Sequence, residues 1–436
     1  MYRSAPGSTN GVLYVSSANF DRCYDHGTVM AVNLDQLGPD AQGRGLLPLG
    51  SYSDATAEPA TLEQLNLAPG ARVYIQSYAG EMALREGDSP RLFVPARADG
   101  DQVHYIDIKE PTRLACAGTE NSDNCLTQGA VSLTQNLSGQ TEDLPRAPAP
   151  FGISVDTAGS VWVTHLNPAD SPERSLGNYA SYVVRLPGDT PSVSSSDFFS
   201  LDIPGLPLGG SNSVVASERY VFVSGRPAAG VTGSSDARRF LVRVLDKQTN
   251  RIVDPGVDLG FAAQEARGIA LVTNEPGAAA STGRLYVTVR SPDSLVTVNV
   301  AGLNSDVPSL NAVGSVPLPT GPTEIALVSR GGTHGELVLV SCSTAGVLAI
   351  YDPDVGQVVA QVSVGEPEGT QSPPQPFGLA VQKLGNAARV FVSNFGDGRI
   401  SVIDIPDLDS PQLARLVAHI GARQDLDASS CQEVQQ

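Results

Sequence analysis

Short β-rich runs recur along this chain, each built from Val, Ile and Leu around a Tyr or Phe and each bounded by Gly, Pro, Asn or Asp. The clearest copy runs Pro376-Phe377-Gly378-Leu379-Ala380-Val381, then Arg389-Val390-Phe391-Val392-Ser393-Asn394, then Ile400-Ser401-Val402-Ile403-Asp404-Ile405. Strands this short, repeating at a period of roughly 50 residues, cannot bury their apolar faces one unit at a time, so they point to a radial array of small sheets. Gly and Pro, 44 and 32 in number, collect between the runs as many turns require.

Seven units can be traced. Blade 3 reads Phe151 to Val155, Ser160 to Thr164, Tyr182 to Leu186 and Phe198 to Ile203. Blade 4 starts at Val214, blade 5 at Gly268, blade 6 at Glu324, and blade 7 is the copy quoted above followed by Leu413 to Val417. Blade 2 is looser, with Val73-Tyr74-Ile75, Arg91 to Val94 and Val103 to Ile108 as its first three strands. Blade 1 shows Val12 to Ser17 and Val29 to Leu34 and lacks an inner strand. The expected fold is all-β, a seven-bladed β-propeller of four-stranded antiparallel blades, one domain over residues 11–421. The segments 1–10 and 422–436 are the two alternatives for completing blade 1, because an unpaired edge strand invites aggregation.

The run Val390-Phe391-Val392-Ser393-Asn394-Phe395-Gly396-Asp397-Gly398-Arg399-Ile400-Ser401-Val402-Ile403-Asp404 resembles the YVTN-type β-propeller repeat of bacterial surface and periplasmic proteins. Leu13 to Phe20 and Leu285 to Val289 are weaker copies. The resemblance extends over nearly the whole chain. It implies the propeller fold, but that repeat serves lactonases, electron-transfer subunits and binding modules alike, and fold does not settle function.

A net charge of −18 with no basic stripe excludes a nucleic-acid partner. No run of about 18 apolar residues is present, so no transmembrane helix is expected. Met1 to Gly7 contains no apolar core of a signal peptide. The five cysteines argue for an oxidising compartment nonetheless. Cys116 and Cys125 bracket a polar loop, Cys23 and Cys431 lie near the two ends that a closed ring would join, and Cys342 sits in an apolar run as a buried thiol. Two disulfides, Cys23–Cys431 and Cys116–Cys125, are favoured over a zinc site, since no CxxC or HxxxH spacing occurs. A periplasmic or cell-surface protein follows, with a removed export signal as a further expectation.

In propellers of this kind, the loops between second and third strands and those between blades form the face where ligands bind. Three such loops are long here: Ser17 to Gly27, His165 to Ala180 and Gly225 to Arg238, in blades 1, 3 and 4. Candidate ligand-binding residues beside the channel are Asn19, Phe151, His165, Asn212, Arg267, Arg290, Glu324, Phe377 and Asn394. The five histidines are scattered over blades 1, 2, 3, 6 and 7, so neither a metal site nor a cofactor is expected. No Gly-x-Ser-x-Gly elbow and no Cys-x-x-Cys-His haem attachment is present. No constellation demands catalysis. The favoured reading is therefore a non-catalytic binding or scaffold propeller of the cell envelope, recognising a protein or glycan through the loops of blades 1, 3 and 4. The alternative is a lactonase-like hydrolase, with Arg267, Arg290, His165 and Glu324 as its electrophilic and basic groups.

Overall fold

The computed structural model describes residues 1–19, 25–39, 43, 45–49, 51, 58–63, 68–98, 100–133, 149–166, 181–204, 206, 208–228, 239–260, 263–273, 281–332, 334–365 and 373–423. Within them, seven sheets succeed one another along the chain, each built on four antiparallel strands, which makes the protein an all-β seven-bladed propeller. Blades 3 to 6 are simple meanders in sequence order. The second strands are buried through their middles, and Val161–His165 and Leu337–Cys342 along their whole length. That is why they read as continuous Val- and Leu-rich runs rather than as alternating ones.

The chain divides into two compact units. One comprises Met1–Val15, Ala31–Ala68 and Val316–Gln436, and the other Ser16–Met30 and Pro69–Ser315. The larger unit holds blades 2, 3 and 4 and nearly all of blade 5. Its core is built on Trp162, Tyr220, Phe222, Leu241, Leu285 and Val298. The smaller unit holds blades 6 and 7. Leu337, Leu339, Ile350, Val390 and Ile403 pack in one cluster there, and Leu13, Leu34, Leu62, Phe391 and Val402 in another.

One side-chain device explains the hydroxyl that closes each second-strand run. Thr164 Oγ1 accepts the N–H of Gly152 at 2.8 Å on its own inner strand, and donates to the Asn212 carbonyl of the next blade at 2.5 Å. Ser224 likewise accepts from Ser213 N–H at 3.0 Å and donates to the carbonyl of Arg267. Ser341 accepts from Glu324 N–H at 3.1 Å and donates to the Phe377 carbonyl at 2.7 Å. Thr288 and Ser393 accept from Gly268 and Gly378 in the same way, at 2.7 and 2.9 Å. The inner strands bulge at these points, so their backbone groups have lost ladder partners and the hydroxyl supplies them. Gly152 is glycine because a Cβ there would lie 2.1 Å from the Asn212 carbonyl oxygen, closer than any side chain permits.

The first two blades differ from the sequence expectation in one respect. Arg72–Ile75, expected as the inner strand of blade 2, pairs antiparallel with Gly27–Asn33 and is the outer strand of blade 1. Blade 2 instead begins with the three-residue strand Ala83–Arg85. Its outer position is shared by Arg113–Cys116 and Ala130–Ser132, which pair with successive parts of Gln102–Glu110. An apolar strand carries no mark of which sheet it joins, and that is the physical reason for the difference.

The inner strand of blade 1 is Tyr2–Arg3, antiparallel to Val12–Ser17. This N-terminal segment is also fastened to blade 7. The Tyr2 ring stacks on Phe391 with centroids 6.0 Å apart, and Asn10 Oδ1 accepts from Arg389 at 3.4 Å. Ala60–Leu62 adds parallel to Arg415–Ile420 and covers the outer edge of blade 7.

Cys116 and Cys125 form a disulfide with Cα atoms 5.2 Å apart, and Cys342 is a buried free thiol, both as expected. The disulfide loop shields the outer edge of blade 1: Tyr74 N–H donates to the Asp123 carbonyl at 2.7 Å, and Cys125 N–H to the Tyr74 carbonyl at 3.0 Å. Cys23 and Cys431, and residues 424–436, lie outside the described residues. Among the described residues no helix is long and apolar enough to cross a membrane.

Candidate functional site

The nine residues singled out from the sequence divide between the two units. In the smaller unit, Glu324 and Phe377 belong to the hydroxyl stitch described above. Asn394 is buried at the end of its strand and donates to the Val364 carbonyl at 3.2 Å and to Ser401 Oγ at 2.8 Å. These are bonds that hold loops onto strand ends.

The other six lie in the larger unit, where three of them meet residues the sequence reading did not single out. Gly80 lies so close to Phe151 that a Cβ would come 2.3 Å from its carbonyl oxygen, and the next residue, Glu81, donates its N–H to that same oxygen at 2.9 Å. The backbone thus fixes Glu81 against the inner strand of blade 3. Its Oε1 accepts from the Ser213 hydroxyl and its Oε2 from Ile153 N–H at 3.3 Å. Burial pushes the Glu81 carboxyl up to about 7, against the pull of those two donors and of the Arg267 charge.

Arg267 in turn holds Glu265, with Nε 2.9 Å from Oε1, and Arg290 reaches the same carboxylate at 4.0 Å. All three side chains are half-buried. Arg97 stands over two aromatic faces, 5.4 Å from the Phe151 ring centroid and 5.8 Å from that of Tyr78. Burial, helped by the positive charge of Arg267, lowers the Arg97 guanidinium below its usual range. Asp101 lies within the field of Arg97. It accepts from Ala149 N–H at 3.1 Å, and burial raises it to about 6.

Backbone strain accumulates around this group. Asn19, Tyr78, Asp101 and Ala149 all have positive φ, at 48, 61, 47 and 45°, in the left-handed region that non-glycine residues avoid. They are tied together: Tyr78 N–H donates to the Ala18 carbonyl at 2.6 Å, Asn19 Nδ2 to Ser77 Oγ at 2.9 Å, and Ala149 to Asp101 as above. Such strain persists where the surroundings over-determine it, and it concentrates at ligand sites.

Asn212 and His165 serve the scaffold. Asn212 Nδ2 donates to the Ala266 carbonyl at 2.7 Å. His165 is fully buried, its Nε2 accepts from Tyr182 N–H at 3.0 Å, and burial lowers it to about 3, so it is neutral near pH 7. His104 is likewise neutral, lowered to about 4 by burial, and braces the disulfide through the Cys125 carbonyl at 3.0 Å.

Among the described residues no group of three or more His, Cys, Asp or Glu side chains is placed to hold a metal ion. The loop carboxylates of Asp352 and Asp354 face Arg330 instead, at 2.9 and 2.8 Å. A shallow cavity of about 370 Å³ on blade 3, lined by Arg185, Pro187, Ser192 and Asp197, shares no residue with the arginine–carboxylate group.

No protein-family model and no curated protein matches the chain, so no family model matches the YVTN-type repeat. Among solved structures, the periplasmic gluconolactonase PpgL of Pseudomonas aeruginosa is 16% identical over 95% of this chain and 96% of its own, with a TM-score of 0.49. AztD of Citrobacter koseri is 10% identical over 97% and 86%, at 0.43. Kuenenia stuttgartiensis hydrazine synthase is 12% identical over 92% and 97%, at 0.47. Likenesses at these scores carry no weight for activity.

Proposed function

We propose that the protein is a non-catalytic binding propeller that works outside the cytoplasm. It recognises a glycan or protein through the loop face of blades 1, 3 and 4, whose long loops lie largely outside the described residues, and to that face we add the group of Glu81 and Arg97 in blade 2 and Arg267 and Arg290 in blade 5. The observation that carries this reading is that three arginines and two glutamates of blades 2 and 5 lie near one another, half-buried or buried, in a region that also holds four residues of positive φ. Both oxygens of Glu81 already accept hydrogen bonds, which suits a recognition group better than a base awaiting a proton. The Cys116–Cys125 disulfide supports an oxidising compartment, whether periplasm or cell surface.

A glycan array probed with the full chain tests the reading. A saturable ligand that loses about tenfold or more in affinity on Arg267→Gln is expected, the cost of removing a charged hydrogen bond. Binding indifferent to Arg97, Arg267 and Arg290 substitutions would overturn it.

One observation favours a second reading, a lactonase-like hydrolase. A carboxyl raised to about 7 beside a hydroxyl and an arginine is suited to proton transfer at neutral pH. Turnover of a lactone panel that disappears in Glu81→Gln would establish it, and absence of turnover by the intact protein would dismiss it.

A further inference from the structure

We propose that the cavity on blade 3 is a second binding site, which takes a neutral sugar ring by two neighbouring hydroxyls. The site goes beyond the binding reading, because it lies at the other end of the blade. Val161 pairs with Leu186 at the cavity, whereas the long loop of blade 3 leaves from His165 at the opposite strand end. At about 370 Å³ the cavity falls within the range of small-ligand pockets.

Two side chains give it its chemistry. Arg185 lies opposite Trp162 in register, and its guanidinium carbon stands 5.3 Å from the Phe199 ring centroid, which holds the planar group in place. Among the described residues that guanidinium makes no hydrogen bond. Its Nη2 lies 3.9 Å from Asp197 Oδ1, too far for one. Asp197 closes the short 3₁₀ turn Ser195–Asp197. Its Oδ2 accepts the Ser194 N–H at 2.8 Å and the Ser194 hydroxyl at 2.7 Å, so the carboxylate is fixed with Oδ1 turned toward Arg185. A charged donor and a charged acceptor thus stand side by side, positioned and unspent.

Their pairing decides the class of ligand. An anion at Arg185 would meet the Asp197 carboxylate, in a chain of net charge −18, and a cation at Asp197 would meet the guanidinium. A neutral compound with adjacent hydroxyls suits both, because each hydroxyl can donate and accept. One hydroxyl donates to Asp197 Oδ1 and its neighbour accepts from Arg185, and hydrogen bonds to charged groups are the stronger kind. Leu186, Pro187 and Val193 add an apolar wall for the C–H face of the ring.

Saturation-transfer NMR on the full chain tests the proposal with methyl β-D-glucopyranoside, methyl α-D-mannopyranoside, the fully O-methylated glucoside and sodium D-glucuronate. Both free glycosides are expected to bind with Kd of about 1 mM, the scale that a few such bonds supply at an open site. The methylated glucoside has no hydroxyl to donate and is expected to give no transfer. Glucuronate, which adds a negative charge, is expected to bind no tighter than the glucoside. Arg185→Met and Asp197→Ala are each expected to weaken binding about tenfold or more. Ser192→Phe, at an exposed residue lining the cavity, is expected to block binding while leaving the charged pair intact. Circular dichroism checks that the variants are folded, and Ser192→Phe decides if the other two are not. Binding unchanged in Arg185→Met or in Ser192→Phe, equal transfer to the methylated glucoside, tighter binding of glucuronate, or no transfer to either free glycoside would each overturn the proposal.

Discussion

Ser341 and Phe377 belong to different blades and are joined by one hydroxyl, which accepts the N–H of Glu324 at 3.1 Å and gives its own proton to the Phe377 carbonyl at 2.7 Å. Ser341 is fully buried, so no water replaces these bonds when the hydroxyl is removed. Ser341→Ala is expected to lower unfolding stability by about 1–3 kcal/mol, the cost of stranding buried polar groups. Ser341→Thr is expected to keep most of it, since blades 3 and 5 use Thr164 and Thr288 in the same role. Urea midpoints of the two variants check this, and equal losses in both would show that packing, not the hydroxyl, is what matters.

Arg389 and Asp404 form an ion pair across adjacent strands of blade 7, with contacts of 2.6 and 2.9 Å and almost no exposure of either side chain. Asp404→Ala takes the carboxylate away from a buried guanidinium that also donates to Asn10. The expected loss is about 3–5 kcal/mol, and the double change to Leu and Met is expected to recover much of it. A double variant no more stable than Asp404→Ala would mean that the pair itself, not the orphaned charge, is required.

Much of this architecture was legible in the repeats. The hydroxyl ending each second strand stood in the sequence as Thr164, Ser224, Thr288, Ser341 and Ser393, although its role in joining blades needs the neighbouring inner strand to be seen. Phe151, Arg267 and Arg290 are legible in the sequence as polar or aromatic residues beside the channel. Glu81, Arg97, Asp101 and Ser213 are not, for a local reason. The stretch Tyr78 to Met82 has no period of two, because its path is set by a left-handed Tyr78 and by Gly80 pressed against Phe151. The same irregularity hid the short strand Ala83–Arg85 and lent its place in blade 2 to Arg72–Ile75.

The disulfide closes a loop of small span, Cys116 to Cys125, over the outer edge of blade 1. Loop-closure entropy for a span this short corresponds to about 2–3 kcal/mol. Replacing both cysteines with Ser is expected to cost that much and to expose the amides of Tyr74 and Cys125 to hydrogen exchange before the rest of the sheet. Non-reducing mass spectrometry of the native protein should find Cys116 and Cys125 in one linked peptide pair. Free thiols at both would remove the main support for an oxidising compartment.

The raised Glu81 carboxyl makes stability depend on pH in a definite direction. Between its ordinary value of 4.5 and its native value of about 7, the folded protein keeps a proton that the unfolded chain releases. Stability from this group is therefore greatest below pH 4.5, declines as pH rises through that window, and is level above it. Asp101 and Asp202, both raised to about 6 by burial, act in the same direction at lower pH. The lowered His104 and His165 act oppositely, since the native state refuses protons that the unfolded chain accepts. These contributions cancel when the wild type is compared with Glu81→Gln, whose side chain does not titrate. The wild type is thus expected to lose about 1–3 kcal/mol relative to Glu81→Gln between pH 4.5 and pH 7.5, the linkage reduced for the carboxyl's partial exposure to solvent. Urea midpoints at pH 4.5, 6 and 7.5 measure the difference. Parallel curves for the two proteins would place the Glu81 carboxyl at its ordinary value.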